Sequence, residues 1–329
     1  MSRSHIAPLF EGRIDVVGDV HGEIDALHAL LGQLGYNAAG VHAQGRRPVF
    51  VGDLGDRGPD SPAVIELVMN LVERGLAQCL LGNHELNLLR NENKPGNRWF
   101  IDPSHPEQQP GGEFANSTVA SEWRKPRYLD FFATLPLALE RADLRVVHAA
   151  WVPGEIQALR KANSTVVELF QQFEDRTLRQ LEMEGLLEAG RVEEEQWGSK
   201  LEDRTTSVPL LPALGELDER FQMGNPIKVV TSGVERLAQA SFWSGGKWRM
   251  CHRVRWWQEY DEVIPVVFGH YWRQASQIDW MGARSNVFCV DFSVGARYQE
   301  RKAGITEHQT HLAALRWPEK ELWFETGRV

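Results

Sequence analysis

Short apolar runs alternate with amphipathic stretches through the first 150 residues. Ile14 to Val20, Pro48 to Leu54, Ala77 to Asn83 and Leu144 to Ala149 are almost continuously apolar, and each ends in a polar or glycine-containing turn. That is the pattern of strands buried on both faces. Between them, Ile24 to Leu34, Ser61 to Arg74 and Glu85 to Asn91 have helical apolar spacing, and Ser61-Pro62 is a helix start signal. The order β-α-β-α-β predicts a mostly parallel sheet covered by helices, with ligands collecting where the strands end.

The pattern then changes twice. Residues 92 to 117 are rich in Asn, Pro, Gly and Gln and read as a long loop, either a mobile excursion or part of a site. Residues 155 to 204 lack alternation but space Ile156, Leu159, Val167, Phe170, Phe173, Leu178 and Leu181 helically. They predict an inserted helical subdomain. Strand signals return at Ile227 to Thr231, Lys247 to Trp257, Val263 to His270, Asn286 to Ser293, Leu312 to Trp317 and Glu321 to Phe324. Their close spacing predicts antiparallel pairing.

Composition narrows the classes. A chain of 329 residues accommodates one large domain or two and buries a core without help from disulfides. With 42% hydrophobic and 25% charged residues it is globular in composition, which excludes disorder, collagen and coiled coil. No apolar stretch reaches the ~18 to 20 residues of a membrane span, and MSRSHIAPLFEGR has no signal-peptide core. Cys79, Cys251 and Cys289, odd in number and widely spaced, fit a reducing compartment. The expectation is a cytoplasmic protein with no membrane partner.

Net charge changes the picture further. At -9 the chain is a poor candidate for broad attachment to nucleic acid. Six of the twelve tryptophans lie between Trp243 and Trp280, and they read as sheet packing rather than a base-stacking platform. Residues 155 to 204 carry twelve acids and seven bases, so the insert holds about half of the excess charge. Its simplest reading is a solvated face. A sharper one is a cap that repels highly anionic substrates.

Three strand-end motifs carry the chemistry: Gly18-Asp19-Val20-His21-Gly22, Gly52-Asp53-Leu54-Gly55-Asp56-Arg57-Gly58 and Gly82-Asn83-His84-Glu85. Asp19 and His21 sit two apart in extended backbone and project the same way, so they can share a cation. Asp53 offers two carboxylate oxygens and Asn83 an amide oxygen. Any one motif alone is an ordinary turn. All three follow apolar runs and are one β-α unit apart, 34 residues from Asp19 to Asp53 and 30 more to Asn83. His148 and His270, each ending a later apolar run, complete a candidate ligand set.

These residues resemble the calcineurin-like metallophosphoesterases, and within them the phosphoprotein phosphatase branch, with its GDxHG, GDxxDRG and GNHE motifs and two later histidines. The resemblance covers the chain outside 92 to 140 and the acidic insert. It implies an α/β fold, a two-layer mixed β-sandwich flanked by helices in an α-β-β-α arrangement. On this reading residues 1–329 form a single catalytic domain, with 155–204 inserted as a possible cap. It further implies two divalent cations. Asp19, His21 and Asp53 would hold one; Asp53, Asn83, His148 and His270 would hold the other, with Asp53 bridging.

Mixed carboxylate, imidazole and amide donors suit Mn first, with Fe or Zn as alternatives. Two such cations can share an activated water and neutralise charge in an in-line displacement. By resemblance His84 protonates the leaving oxygen, Asp56 orients its imidazole, and Arg57 grips the phosphate. Arg273 and Arg297 are the candidates for a second phosphate-binding arginine.

Rival chemistries lack their residues. Six positions after the cysteines stand Glu85, Trp257 and Gly295, not the arginine of a cysteine phosphatase loop. There is no Asp-x-Asp for an aspartyl-phosphate enzyme, and Leu88 breaks HExxH. G-x-x-x-x-G-K-[ST] and G-x-S-x-G are both absent.

The chain also departs from the family pattern. Trp272 stands where broader metallophosphoesterases have a second histidine, Ala150 replaces a usual glycine, and Gly55 is expected to loosen its turn. Asn286 to Gly295 looks more like bacterial members than eukaryotic ones. The expected activity is hydrolysis of phosphomonoesters, phosphoserine or phosphothreonine among them, on a phosphoprotein or small phosphoester. The alternatives are hydrolysis of a dinucleoside polyphosphate and a metal-stabilised binding protein without turnover.

Overall fold

Alternation within Ile14–Val17 sets up two apolar layers. Ile14 and Val16 join one apolar cluster with Val49, Leu144, Val146 and Val267, while Val17 joins another with Phe50, Leu27 and Leu30. The first is the seam between two sheets and the second lies under the helices. Period-two side-chain direction makes this split possible in a single strand. The computed structural model describes residues 4–329, so the first three residues of MSRSHIAPLFEGR lie outside the described residues.

Ile14–Val17, Arg47–Phe50 and Gln78–Cys79 run parallel, joined by the helices Ile24–Leu34 and Ser61–Glu73. Asp60 caps the second helix by accepting the Ala63 N–H, with Pro62 in its first turn. On its other edge Ile14–Val17 pairs antiparallel with His311–Trp317, which pairs in turn with Glu321–Phe324. Gly327–Arg328 and Asp291–Phe292 complete seven strands. The second sheet has five strands in the order Ile6–Pro8, Ala138–Arg141, Leu144–Val147, Val266–Phe268, Val287–Cys289. The fold is therefore α/β, two mixed sheets with flanking helices.

Register is what positions the site. Val17, Phe50 and Cys79 stand level in one sheet, and Val147, Phe268 and Cys289 in the other. Asp19, Asp53 and Asn83 therefore emerge two to four residues beyond one level line, and His148, His270 and Asp291 one or two beyond the other.

Several expectations are corrected. Ile227 to Thr231, read as a strand from its β-branched residues, is the helix Pro226–Ser232. Asn225 accepts the Ile227 N–H at 3.1 Å and Pro226 fits the first helical position, so start signals outweigh propensity. Val266–Phe268 pairs with Val287–Cys289 in parallel, not antiparallel. The helix Pro212–Met223 and the strand Glu235–Ser244 went unread; the strand is mostly exposed and carries no alternation to detect. The strand Glu235–Ser244 forms a separate hairpin with Lys247–Arg253.

Residues 155 to 204 are helical as expected, in parts of Pro153–Arg160, Val166–Met183 and Leu186–Trp197. Residues 92 to 117 are not a loose excursion, because Trp99, Phe100 and Phe114 are buried. Of the six clustered tryptophans, Trp256 and Trp257 are buried as packing requires, Trp243, Trp248 and Trp280 are half-buried, and Trp272 is exposed in a cavity lining. All three cysteines are free, and no helix among the described residues is long and apolar enough to cross a membrane.

One buried ionic cluster ties the sheet to its edge. Asp15 accepts from Arg46 at 3.1 Å, Arg316 at 3.0 Å and the Tyr36 hydroxyl at 2.8 Å, and Asp15 and Arg46 are both buried. Arg46 also reaches Glu319 and the Ile14 and Trp317 carbonyls. Asp15→Ala is expected to cost about 3 to 5 kcal/mol, because it strands buried cations. Denaturant unfolding measures this, and a loss below about 1 kcal/mol would show that Glu319 alone satisfies Arg46.

Candidate metal centre and active site

Tight backbone turns bring the strand-end side chains together. His21, Asp53, Asp56, Arg57 and His270 account for five of the nine non-glycine residues with positive φ among the described residues. Such conformations cost ~1 to 3 kcal/mol each, so their concentration here marks the place where strain is stored for function. Gly52, at φ 105°, lies where a Cβ would come within 2.6 Å of the Gly82 nitrogen. At Gly269 a Cβ would collide with the Asp19 carboxylate.

Asp53 is the hub. Its Oδ2 lies 3.4 Å from His148 Nε2 and 3.8 Å from the Nε2 atoms of both His21 and His84. Its Oδ1 accepts the His84 N–H at 3.0 Å. Two donor sets, His21–Asp53–His84 and Asp53–His148–His270, each gather within 4.8 Å. Asn83 Oδ1 is 3.2 Å from His148 Nε2. Asp19 stands alongside, accepting the His270 N–H at 3.1 Å.

These residues fit divalent cations. His21 Nδ1 faces the Gly55 carbonyl at 3.0 Å and His148 Nδ1 the Val51 carbonyl at 2.8 Å, which leaves both Nε2 atoms turned inward. His270 Nε2 is buried with no hydrogen-bond partner. Burial, with Arg57 and Arg253 nearby respectively, holds His21 and His270 well below the usual imidazole range, the neutral form that a metal needs. Burial alone would also lower His148, but Asp53 lifts it to about 10, a measure of how strongly this pocket favours positive charge. Asp53 is held well below the carboxylate range against its burial, chiefly by His148. Burial and the nearby Asp291 push Asp19 well up. A cation would relieve that crowding of carboxylates.

A second group surrounds His84. Its Nδ1 lies 2.5 Å from Asp56 Oδ2, and Asp56 Oδ1 accepts the Trp99 indole N–H at 2.6 Å. Burial lowers His84, but Asp53 and Asp56 outweigh it and raise the imidazole, so it carries a proton more readily at neutral pH. Arg57 Nη2 is 3.2 Å from His84 Nε2, and its guanidinium lies 5.2 Å from the Trp272 ring. Trp99 also packs where a Cβ on Gly55 would sit, so the turn expected to be loose is filled from the 92 to 117 segment.

The two remaining arginine candidates are corrected. Arg273 is tied to Asp279 and the Gln277 carbonyl, and Arg297 to Glu325 and the Thr310 carbonyl. Neither lines the cavity of about 900 Å³ above the centre. Arg253 does, close enough to His270 to depress it. No motif announces Arg253, which is placed by its hairpin. Two carboxylates also went unassigned. Glu85 accepts the N–H groups of Asp53 at 2.9 Å and Leu54 at 2.8 Å, and burial pushes it up to about 7. Asp291 accepts from Trp272 and Ser293, and burial lifts it to about 6.

The expected acidic cap over the site is also revised. From the insert, Phe170 and Glu174 line the cavity, and Glu174 is paired with Lys228 at 2.9 Å. Other acids of the insert meet partners elsewhere, Glu188 with Arg191 and Glu184 with Arg220.

Imidazole and oxygen donors converging from two sheets on one carboxylate, with a guanidinium beside them, define a class of metal-binding α/β phosphoesterases. The calcineurin-like phosphoesterase pattern matches residues 12–198, more than half of the chain, and the chain belongs to that family. Over 150 residues it is 34% identical to the asymmetrical bis(5'-nucleosyl)-tetraphosphatase PrpE of Oceanobacillus iheyensis, covering 44% of this chain and 58% of that one. Over 79 residues it is 44% identical to the PrpE of Bacillus subtilis, covering 23% and 32%. The chain thus spans between about a third and three fifths of the length of these relatives. Among solved structures, a point mutant of a cold-active protein tyrosine phosphatase has a TM-score of 0.50 at 13% identity. The likeness covers 99% of this chain and 82% of that one and is one of fold.

His84→Ala is expected to lower turnover of an activated aryl phosphate by ~10²-fold or more while metal content holds. Unchanged turnover would remove His84 from proton transfer. Arg253→Ala is expected to raise KM by roughly tenfold, and Arg273→Ala to leave it in place. Steady-state kinetics on both variants decides between the two arginines.

Proposed function

We propose that the chain hydrolyses dinucleoside polyphosphates, releasing a mononucleotide from one end. The observation that carries this reading is the lining of the large cavity. Arg57, Arg249 and Arg253 line it with no ion-pair partner among the described residues, beside Arg90 and Lys94, which share Glu92, and Lys228, which holds Glu174. A phosphoserine group needs only a local pair of guanidiniums, whereas a polyphosphate chain needs cationic lining along its length. The tetraphosphatase names of the relatives support the same reading. It therefore takes precedence over the phosphoserine and phosphothreonine expectation. Intact Asp56, Arg57 and His84 argue against a binding protein without turnover.

In this reading Asp19, His21 and Asp53 hold one divalent cation and Asp53, Asn83, His148 and His270 the other. Bound there, the cations supply Lewis acidity toward phosphoryl oxygens and toward water. The chain's own groups do the rest. Arg57 and Arg253 orient the phosphoryl group with fixed N–H forks. A water oxygen gives up one proton to solvent and bonds to phosphorus, the bond from phosphorus to its bridging oxygen breaks, and that oxygen keeps the electron pair. His84 passes its Nε2 proton to the departing oxygen, while Asp56, held by Trp99, keeps the imidazole aimed.

Incubation of the Mn-loaded protein with diadenosine tetraphosphate is expected to give AMP and ATP in equal amounts, faster than phosphate from a phosphoserine peptide. Metal analysis is expected to find two divalent ions per chain. Faster release from the peptide, or intact tetraphosphate, would overturn the reading in favour of a phosphomonoesterase.

A further inference from the structure

Hydrolysing a polyphosphate at one defined linkage poses a problem that chemistry at the centre does not solve, because successive phosphoanhydrides are nearly alike. The position of cleavage has to come from binding. Two cavities meet at Arg57, beside the centre. The larger, of about 900 Å³, shares Arg57, Glu113, Phe114 and Tyr298 with a smaller one of about 370 Å³.

Their linings differ in kind. The smaller cavity is lined by Gly111, Gly112 and Ser117 together with the Tyr298 ring, which packs against Phe114 at 4.9 Å and also borders the larger cavity. Its Arg301 is already held by Glu23. This pocket has an aromatic face, glycine backbone and the charges of Arg57, Glu113 and Lys302 besides the paired Arg301, against six cations in the larger one. In the larger cavity Arg249 and Arg253 lie four apart on the strand Lys247–Arg253 and so point to one face. Neither takes part in an ion pair among the described residues, and the Arg249 Nε–H donates only to the Ser244 carbonyl at 3.2 Å. Uncommitted guanidiniums on a strand face are a track for phosphates.

We propose that the two cavities hold the unequal halves of a dinucleoside polyphosphate. The nucleoside of the mononucleotide end stacks on Tyr298 in the smaller cavity, and the remaining polyphosphate runs along Arg249 in the larger one. The phosphorus nearest Tyr298 is then the one presented beside Arg57, which makes cleavage asymmetric. The volumes agree with this assignment: both lie in the usual range for ligand sites, and the smaller has room for a nucleoside rather than a nucleoside triphosphate. Stacking suits the aromatic pocket because every base offers a π face. The inference rests on the function proposed above and adds the residues that choose the bond.

Two product-like probes separate the arms: AMP for the smaller cavity and inorganic tripolyphosphate for the larger, each measured as an inhibitor of p-nitrophenyl phosphate hydrolysis at constant free metal. Tyr298→Ala is expected to raise the inhibition constant of AMP roughly tenfold and that of tripolyphosphate less than about twofold. Arg249→Glu is expected to do the reverse. Each variant controls the other for folding, since each keeps one affinity. If the wild-type protein cleaves diadenosine tetraphosphate but both constants move together in each variant, or neither moves, the two-arm assignment is overturned and the function stands. If the wild-type protein does not cleave diadenosine tetraphosphate, the function falls and the assignment with it.

Discussion

A carboxylate as deeply buried as Asp53 stays ionised only if positive charge is built around it, because stripping water from an unpaired anion costs far more than a protein's whole stability margin. His84 and His148, whose imidazoles are raised, supply it, His21 adds a neutral ring, and Glu85 fixes the turn by accepting the Asp53 N–H. The arrangement demands contributions from both sheets, since His21 and His84 follow strands of one and His148 a strand of the other. The seam between the sheets is therefore also the support of the centre. A slip of one residue in either sheet would turn its ligand away from Asp53, and the interdigitated apolar layer makes such a slip expensive.

The same constraint explains the backbone. Several chain turns must end near one carboxylate, and those at His21, Asp53 and His270 do so with positive φ, while those at His84 and His148 do not need it. Asp56 and Arg57 are held in that region as well, which sends one side chain under His84 and the other over it. Trp99 then closes the back of Asp56. A residue of the long segment thereby reaches His84 through a single carboxylate, and the segment belongs to the site rather than decorating it.

Much of this was legible in the chain because it is local. Strand-end motifs such as Gly52-Asp53 and Gly82-Asn83-His84-Glu85 encode turn, ligand and orientation within a few residues, and the β-α spacing places them on neighbouring parallel strands. What was not legible depends on partners distant in sequence. Arg253 gains its position from a hairpin whose other strand shows no alternation. Trp99 is a buried indole in a stretch composed like a loop. Arg297 carries the composition of a phosphate ligand but is consumed by Glu325, which no spacing rule brings near it. The Pro226–Ser232 helix is masked in the sequence because its run of β-branched residues carries strand propensity that its start signals override only in the fold.

Net charge illustrates the same separation of local from global. The chain carries -9, with about half of the excess in residues 155 to 204, yet the cavity above the centre has six cationic side chains and three anionic ones. The reconciliation lies in pairing. Glu174 is bonded to Lys228, and the outward acids of the helices meet Arg191 and Arg220 away from the cavity. Exposed pairs of that kind are screened within about 10 Å at 0.1 M salt. They repel a substrate in the cavity only weakly, while the guanidiniums of Arg57, Arg249 and Arg253 face it directly. An acidic protein can in this way present a cationic mouth. The helices that carry the excess negative charge hold Glu184 and Glu188 against arginines away from the cavity.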